Sequence, residues 1–144
     1  MAEFLYNPVQ LVEQGQIVLL NDAISCNRGY VIHRPGSGII ILRGVVNNPC
    51  ARFARYQVTF NGNIAVPTDG TVGAISVALA IDGEAVQTSK AIVTPAAVDE
   101  YFNVTSTAII DVPAGCCFTV SIENTSSATS INVQNANVVV SRLA

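Results

Sequence analysis

The chain is poor in charged residues. Asp, Glu, Lys and Arg make up 12% of its 144 residues, whereas soluble domains average about 25%. A single chain with so little charge has few ionic groups to cover its surface, so the shortage favours burial between subunits. The net charge is −3 and Lys90 is the one lysine. Nucleic-acid binding therefore has no electrostatic support and is not expected.

Long apolar runs and a signal segment are also missing. No stretch approaches the roughly 18 consecutive apolar residues that a membrane helix needs. The first residues, Met1 to Phe4, contain neither the basic region nor the apolar region of a secretory signal. We therefore expect a protein that is synthesised in the cytoplasm without a signal peptide and has no membrane partner.

Catalytic motifs are scarce. His33 is the one histidine, expected at the surface beside Arg34, and no nucleophile signature accompanies it. The glycine-rich stretch 36–38 lacks the lysine and the spacing of a phosphate loop and is typical of a hairpin turn. The acidic pair 99–100 lies about ten residues from Asp111, too far for a glycosidase pair or a calcium site. We expect no enzymatic activity, no metal and no cofactor.

The four cysteines, Cys26, Cys50, Cys116 and Cys117, match no zinc-binding spacing. The adjacent pair cannot form a disulfide in ordinary geometry, and we expect reduced thiols at the start of a strand. A bridge between Cys26 and Cys50 remains geometrically open, although cytosolic synthesis disfavours it.

Five of the seven basic residues fall within residues 28–55. Scattered surface arginines are the simpler interpretation of this group. The alternative is contact with an anion or with a carboxylate of another subunit, because the planar guanidinium suits two-point pairing.

The rest of the sequence indicates strands, organised around residues 56–84. Apolar and polar residues alternate strictly over 56–61, which is the pattern of a strand with one face in a core. A second alternating run covers 74–81, and the dipeptide Asp82-Gly83 after it predicts a primed hairpin turn. The continuous apolar run 39–42 favours a strand covered on both faces.

Similar segments follow one another at roughly 8–14-residue spacing, with turn residues between them and no helical period. This pattern predicts about ten strands in an all-β sandwich or barrel. The length predicts one domain over residues 1–144, with 1–22 as N-terminal strands or an arm.

One face of the 74–81 strand carries small residues. Such a face indicates either close packing against loops of the same chain or a subunit interface. Aromatic residues near it are candidates for the same two roles, because both cores and interfaces favour them. The predicted interface set is Ala74, Ser76, Ala78 and Ala80, with Tyr56, Phe60, Tyr101 and Phe102.

The order of these segments resembles the ten-stranded jelly rolls of the tumour-necrosis-factor and complement globular-head type. The resemblance is carried by the strand at 55–64, the hairpin through Asp82 and Gly83, the turn at 112–117 and the closing strand at 133–142. More closely, the chain is similar to small virion proteins of phages and prophages of gut Firmicutes, in which the segments 26–30, 63–67, 94–104 and 132–137 recur.

The resemblance implies a homotrimer made in a bacterial cytoplasm. It implies a structural role in a virion, as a capsid-decoration or fibre-head component that contacts other virion proteins. The alternative is a carbohydrate-binding module that recognises a host glycan. Its surface loops would supply Tyr30, Asn47 and Asn48, through aromatic stacking and amide hydrogen bonds.

Overall fold

A computed structural model describes residues 2–23, 30–45, 50–127 and 130–143. Within them lie twelve strands and one short 3₁₀ helix, Gln87–Ser89. The strands are β1 (Ala2–Tyr6), β2 (Gln10–Val12), β3 (Asp22–Ala23), β4 (Val31–His33), β5 (Ile40–Arg43), β6 (Phe53–Ala65), β7 (Ile75–Ile81), β8 (Glu84–Ala85), β9 (Ala91–Val93), β10 (Phe102–Pro113), β11 (Cys117–Asn124) and β12 (Ile131–Arg142).

The strands form two antiparallel sheets that face each other. The first sheet has the order β10-β6-β12-β1-β3, with β2 also on β12. The second has the order β4-β5-β11-β7-β8, with β9 also on β7. The inward side chains of both sheets form one apolar core, which includes Phe4, Leu42, Tyr56, Phe60 and Leu79.

The long strand β6 shows why the sequence folds this way. Its inward side chains, among them Tyr56, Val58 and Phe60, are fully buried, and the residues between them are exposed or half-buried. The period-2 pattern of 56–61 therefore predicted a real strand. The strand extends in both directions beyond the predicted segment, because β10 and β12 pair with it along its length.

The Asp82-Gly83 turn has the predicted geometry. Both residues have positive φ, 52° and 85°, as a primed two-residue hairpin turn requires. The Asp82 carboxylate accepts hydrogen bonds from the Thr119 backbone N–H (2.9 Å) and hydroxyl (3.0 Å). These bonds tie the hairpin to β11.

Three details differ from the sequence-based expectations. The described residues contain twelve strands rather than about ten, in part because the 3₁₀ helix separates the short strands β8 and β9. The run 39–42 is covered on one face: Ile40 and Leu42 are buried, whereas Ile39 is exposed. His33 is buried rather than at the surface, with its ring 4.6 Å from that of Phe4.

Candidate assembly interface

Five of the eight predicted interface residues lie inside the single chain. These side chains have no surface to offer a second copy, so the interface prediction is wrong for them. On β7 the small residues pack within their own chain, where the Ser76 hydroxyl bonds that of Thr125 (2.7 Å) and the Ser126 hydroxyl accepts from the Ser76 N–H (3.0 Å). The five are Tyr56, Phe60, Ser76, Ala78 and Ala80.

The other three predicted interface residues are exposed. Ala74 precedes β7, and Tyr101 and Phe102 keep 36% and 37% of their surface where β10 begins. Their role in an interface stays a prediction.

The predicted sugar-contact residues are only partly described. Asn47 and Asn48 lie outside the described residues. Tyr30 is 51% exposed, and the Arg142 guanidinium carbon lies 4.1 Å from the centre of its ring. One face of the ring is therefore occupied by a cation–π contact.

The outward side of β6, β10 and β12 forms a broad surface that we call the polar face. A row of four asparagines crosses it. Each side-chain amide donates to the oxygen of the next, from Asn103 to Asn63 (3.1 Å), to Asn135 (3.3 Å) and to Asn7 (3.4 Å). A β-bulge between Gln134 and Asn137 interrupts β12, and Asn135 within it has a φ of 55°. Such bulges redirect a side chain, here towards its neighbours in the row.

Two more polar pairs lie beside the asparagine row. The Thr105 hydroxyl donates to the Asn61 side-chain oxygen (3.1 Å), and the hydroxyls of Thr59 and Thr107 lie 3.0 Å apart. Strand register places the members of each pair directly opposite one another on β6 and β10. Cross-strand hydrogen bonds of this kind stabilise the sheet and fix the orientation of its surface groups.

The charged side chains Arg55, Asp111 and Glu3 on the polar face have hydrogen-bond partners within the chain. Arg55 and Asp111 form a two-point ion pair, with N–O distances of 2.8 and 2.9 Å. The hydrogen bond from Arg55 lowers the pKa of Asp111, and the carboxylate raises the pKa of Arg55. The Glu3 carboxylate accepts from the Asn137 amide at 2.9 Å.

One large apolar side chain also stands on this face. Ile109 of β10 is 64% exposed and lies opposite Gln57 in the register. Its partner in the register is polar, so Ile109 is an isolated apolar side chain on this face.

Chemical groups for catalysis do not converge in the part of the chain that the structure describes. The His33 Nε2 atom lies 2.8 Å from the Ser37 carbonyl oxygen, within the core rather than in a cleft. No group of three or more His, Cys, Asp or Glu among these residues could hold a metal ion. Cys116 and Cys117 are exposed free thiols and Cys50 is exposed, whereas Cys26, and with it the possible Cys26–Cys50 bridge, lies outside the described residues. Within the same residues, no helix has the length and apolar character to cross a membrane.

Sequence reasoning missed the polar face, although a signal for it was present. The outward positions of β6 and β10 carry Asn and Thr where an exposed strand usually carries charge. The pattern of alternation located these residues on one face. It did not show that they stand side by side, because that depends on the pairing of strands some 45 residues apart in sequence.

The chain has the fold of a complement C1q globular domain. The structure of the globular domain of zebrafish complement 1qA protein superimposes on it with a TM-score of 0.51 at 12% sequence identity. The match covers 96% of this chain and 94% of that one. At this identity the likeness concerns the fold alone. No protein-family model matches the chain, and no curated protein matches it significantly.

Proposed function

We propose that the chain is a non-enzymatic structural protein that assembles as a homotrimer through its polar face and serves as a capsid-decoration or fibre-head component of a phage particle. The observation that carries this proposal is the polar face itself. It combines uncharged hydrogen-bonded rows, an exposed Ile109 and the Arg55–Asp111 ion pair within the chain.

A ring of identical copies requires a surface of this kind. Like charges that meet across an interface cost several kcal/mol, by order of magnitude. Asparagine and threonine groups that already bond one another lose less on leaving water than unpartnered groups do. The asparagine and threonine pairs meet the second condition, and the Arg55–Asp111 pair carries no net charge. Ile109 adds apolar area that is removed from water on assembly.

The proposed action is mechanical and adhesive. Three copies would bury their polar faces around a three-fold axis and leave the loops free to contact other virion proteins. A closed ring also limits open-ended pairing at the long edge strand β10. The phage setting extends the resemblance to small virion proteins. Of the segments that carry it, 63–67 covers the end of β6 and the two residues after it, and 132–137 lies on β12.

The trimer is tested by a matched pair of substitutions. Ile109→Arg places a charge on the polar face, and Ile92→Arg places one at a site of equal exposure (63% against 64%) on β9 of the second sheet. Light scattering should show Ile109→Arg as single chains and Ile92→Arg as trimers. Equal behaviour of the two variants would contradict assembly through the polar face.

Mass spectrometry of purified phage particles tests the virion role, and absence of the chain from them contradicts it.

The carbohydrate-binding alternative has one described residue to support it. One face of the exposed Tyr30 ring is covered by the Arg142 guanidinium, and a sugar would stack on the other face. A glycan array distinguishes the two functions, because a purely structural role predicts no sugar binding. Sugar binding that is lost in the Tyr30→Ala variant would favour the carbohydrate-binding alternative.

A further inference from the structure

The outer side of the second sheet carries uncovered isoleucines where β4 and β5 pair. Ile32 and Ile41 lie opposite one another in the register, and Ile39 points the same way as Ile41 because it is two residues away along the chain. With Arg34 and Ser37, these three isoleucines line a groove of about 330 Å³. Ile32 and Ile39 remain 39% and 44% exposed, so the groove has an open apolar wall.

A fourth isoleucine continues this apolar surface past Ile39. Ile17 pairs with Glu123 of β11 in an isolated bridge. The other edge of β11 is occupied by β7 at that residue, so Ile17 lies in line with β5. A Cβ atom on Gly38 would lie 2.8 Å from the Cδ1 atom of Ile17, which shows that Ile17 fills the space next to Ile39. We call Ile17, Ile32, Ile39 and Ile41 the isoleucine strip.

Opposite charges flank the strip. Arg34 lines the groove on the β4 side, and Glu123 lies beside Ile17 on the β11 side. Neither side chain makes an ion pair or a hydrogen bond within the part of the chain that the structure describes. A second surface can therefore pair with both charges without breaking an existing contact.

Two further charges lie at the Ile41 end of the strip. Arg43 follows Ile41 by two residues on β5. The Asp82 carboxylate accepts from the Thr119 hydroxyl, and Thr119 is opposite Ile41 in the register. Together with the first arginine and glutamate, these two groups leave the surroundings of the strip without net charge. Two copies of this surface can therefore approach each other without net repulsion.

The surface is complementary to itself. His33 pairs with Ile40, which puts Arg34 level with Ile39 on one side of the strip, whereas Glu123 is level with Ile17 on the other side. Consider two copies face to face, related by a two-fold axis that passes between Ile39 and Ile17. The arginine of each copy then meets the glutamate of the other, and the central isoleucines meet near the axis. In such a contact every pair of residues occurs twice.

We propose that two copies of the chain pack isoleucine strip against isoleucine strip, with Arg34 of each copy paired to Glu123 of the other. The contact removes apolar side chains from water and gives both charges a partner. It goes beyond the trimer and does not require it. The strip lies on the outer side of the second sheet, away from the polar face, so a trimer built on the polar face would offer three strips to neighbouring trimers.

The contact is small, and this sets its strength. Four isoleucines and two charged groups per copy make an interface below the roughly 1,200 Å² that stable complexes bury. We expect a dissociation constant of about 0.1 to 1 mM, in the range of weak complexes. At micromolar concentration the contact is therefore open, and the mass measured there reports the trimer alone.

Sedimentation equilibrium of the full chain from about 10 μM to about 1 mM, on both sides of the expected dissociation constant, tests the contact. The mass should rise with concentration above that of the basal unit, which is the species present at the lowest concentration. Ile39→Arg should abolish the rise and leave the basal unit unchanged. Ile92→Arg is the matched control, because Ile92 is an exposed isoleucine of the same sheet outside the strip, and it should associate like the unmodified chain.

Charge reversals test the predicted pairing. Arg34→Glu and Glu123→Arg should each stay at the basal mass when alone, because like charges then meet across the two-fold axis. An equimolar mixture of the two variants should associate like the unmodified chain, because both pairs are restored between unlike copies. Arg52→Glu and Asp69→Arg make the same charge changes at exposed sites outside the strip and should leave association intact.

Three results would overturn the proposal. The first is an unmodified chain that stays at its basal mass up to about 1 mM. The second is loss of association in the control variants as well as in the strip variants. The third is a mixture of the two charge-reversed variants that does not associate. The basal mass reports the trimer separately, so failure of one proposal is distinguishable from failure of the other.

Discussion

The Tyr56 hydroxyl donates a 2.5 Å hydrogen bond to the Arg43 carbonyl and so joins β6 to β5 across the core. The same hydroxyl lies 3.3 Å from the Tyr30 carbonyl. Tyr56→Phe removes the hydroxyl that donates to the Arg43 carbonyl, so the free energy of unfolding should fall by roughly 1–2 kcal/mol. Denaturant titration measures this loss. Tyr101→Phe, at an exposed ring, is the control and should change little; equal losses would contradict the role of the buried hydroxyl.

The same residue predicts how stability changes with pH. Burial raises the pKa of Tyr56, against the lowering effect of the positive charges of Arg142 and Arg43. The folded chain therefore holds the phenol proton more tightly than the unfolded chain, in which tyrosine has a pKa of about 10. The stabilisation should be complete below that pH and decrease as the pH rises through the pKa of the folded state.

Denaturant titrations of the unmodified chain and Tyr56→Phe, from about pH 8 to about pH 11, test this pH dependence. The unmodified chain should lose its advantage over the variant at the alkaline end. A constant difference across the range would show that Tyr56 does not titrate as a buried phenol.

The Arg55–Asp111 pair predicts a low carboxyl pKa on the polar face. The hydrogen bond from Arg55 lowers the pKa of Asp111 below the ordinary aspartate value of about 3.9. An NMR titration of the side-chain carboxyl should show this in the unmodified chain and a return towards the ordinary value in Arg55→Gln, but not in Arg34→Gln. Because the pair is exposed, its effect on stability should be small. That effect is present above the unfolded-state pKa and lost as the pH falls through the folded-state pKa.

The small buried residues of β7 predict that a larger side chain on this strand destabilises the fold. Ala78 is buried within the chain, whereas Ala74 is exposed just before the strand. Ala78→Leu should overpack its site and cost about 1–3 kcal/mol of unfolding free energy, and Ala74→Leu should cost far less. Thermal or denaturant unfolding measures both variants. A tolerated leucine at position 78 would mean that this face is open rather than packed.

The strands could be predicted from sequence where alternation was strict. Residues 56–61 are part of β6, residues 75–81 of the predicted run 74–81 form β7, and the Asp82-Gly83 turn lies between β7 and β8. The sequence did not show that β6 would extend to Phe53 and Ala65, because pairing with β10 and β12 stabilises the ends of the strand beyond its own pattern.

The candidate interface was harder to predict, for a physical reason. Small side chains such as Ala78 and Ala80 indicate that something lies close to the strand, but not whether that neighbour belongs to the same chain. In this fold the neighbour of Ser76 is the segment that contains Thr125 and Ser126. The sequence pattern therefore indicated that a neighbour lies close to the strand, but not which chain supplies that neighbour.

The low charge also has a second explanation in the structure. A strand surface can be polar without ions, and on β6 and β10 the side chains of Asn61, Asn63, Thr105 and Thr107 fill that role. Support for assembly therefore comes less from the 12% charged fraction than from the positions of the uncharged polar residues and Ile109.

The most direct test of the account is the mass of the unmodified chain in solution at micromolar concentration and high salt, measured by light scattering or sedimentation equilibrium. Assembly through the polar face predicts about three times the 15.1 kDa mass of one chain. A mass of about 15.1 kDa under those conditions would contradict the trimer and, with it, the proposed role of the polar face.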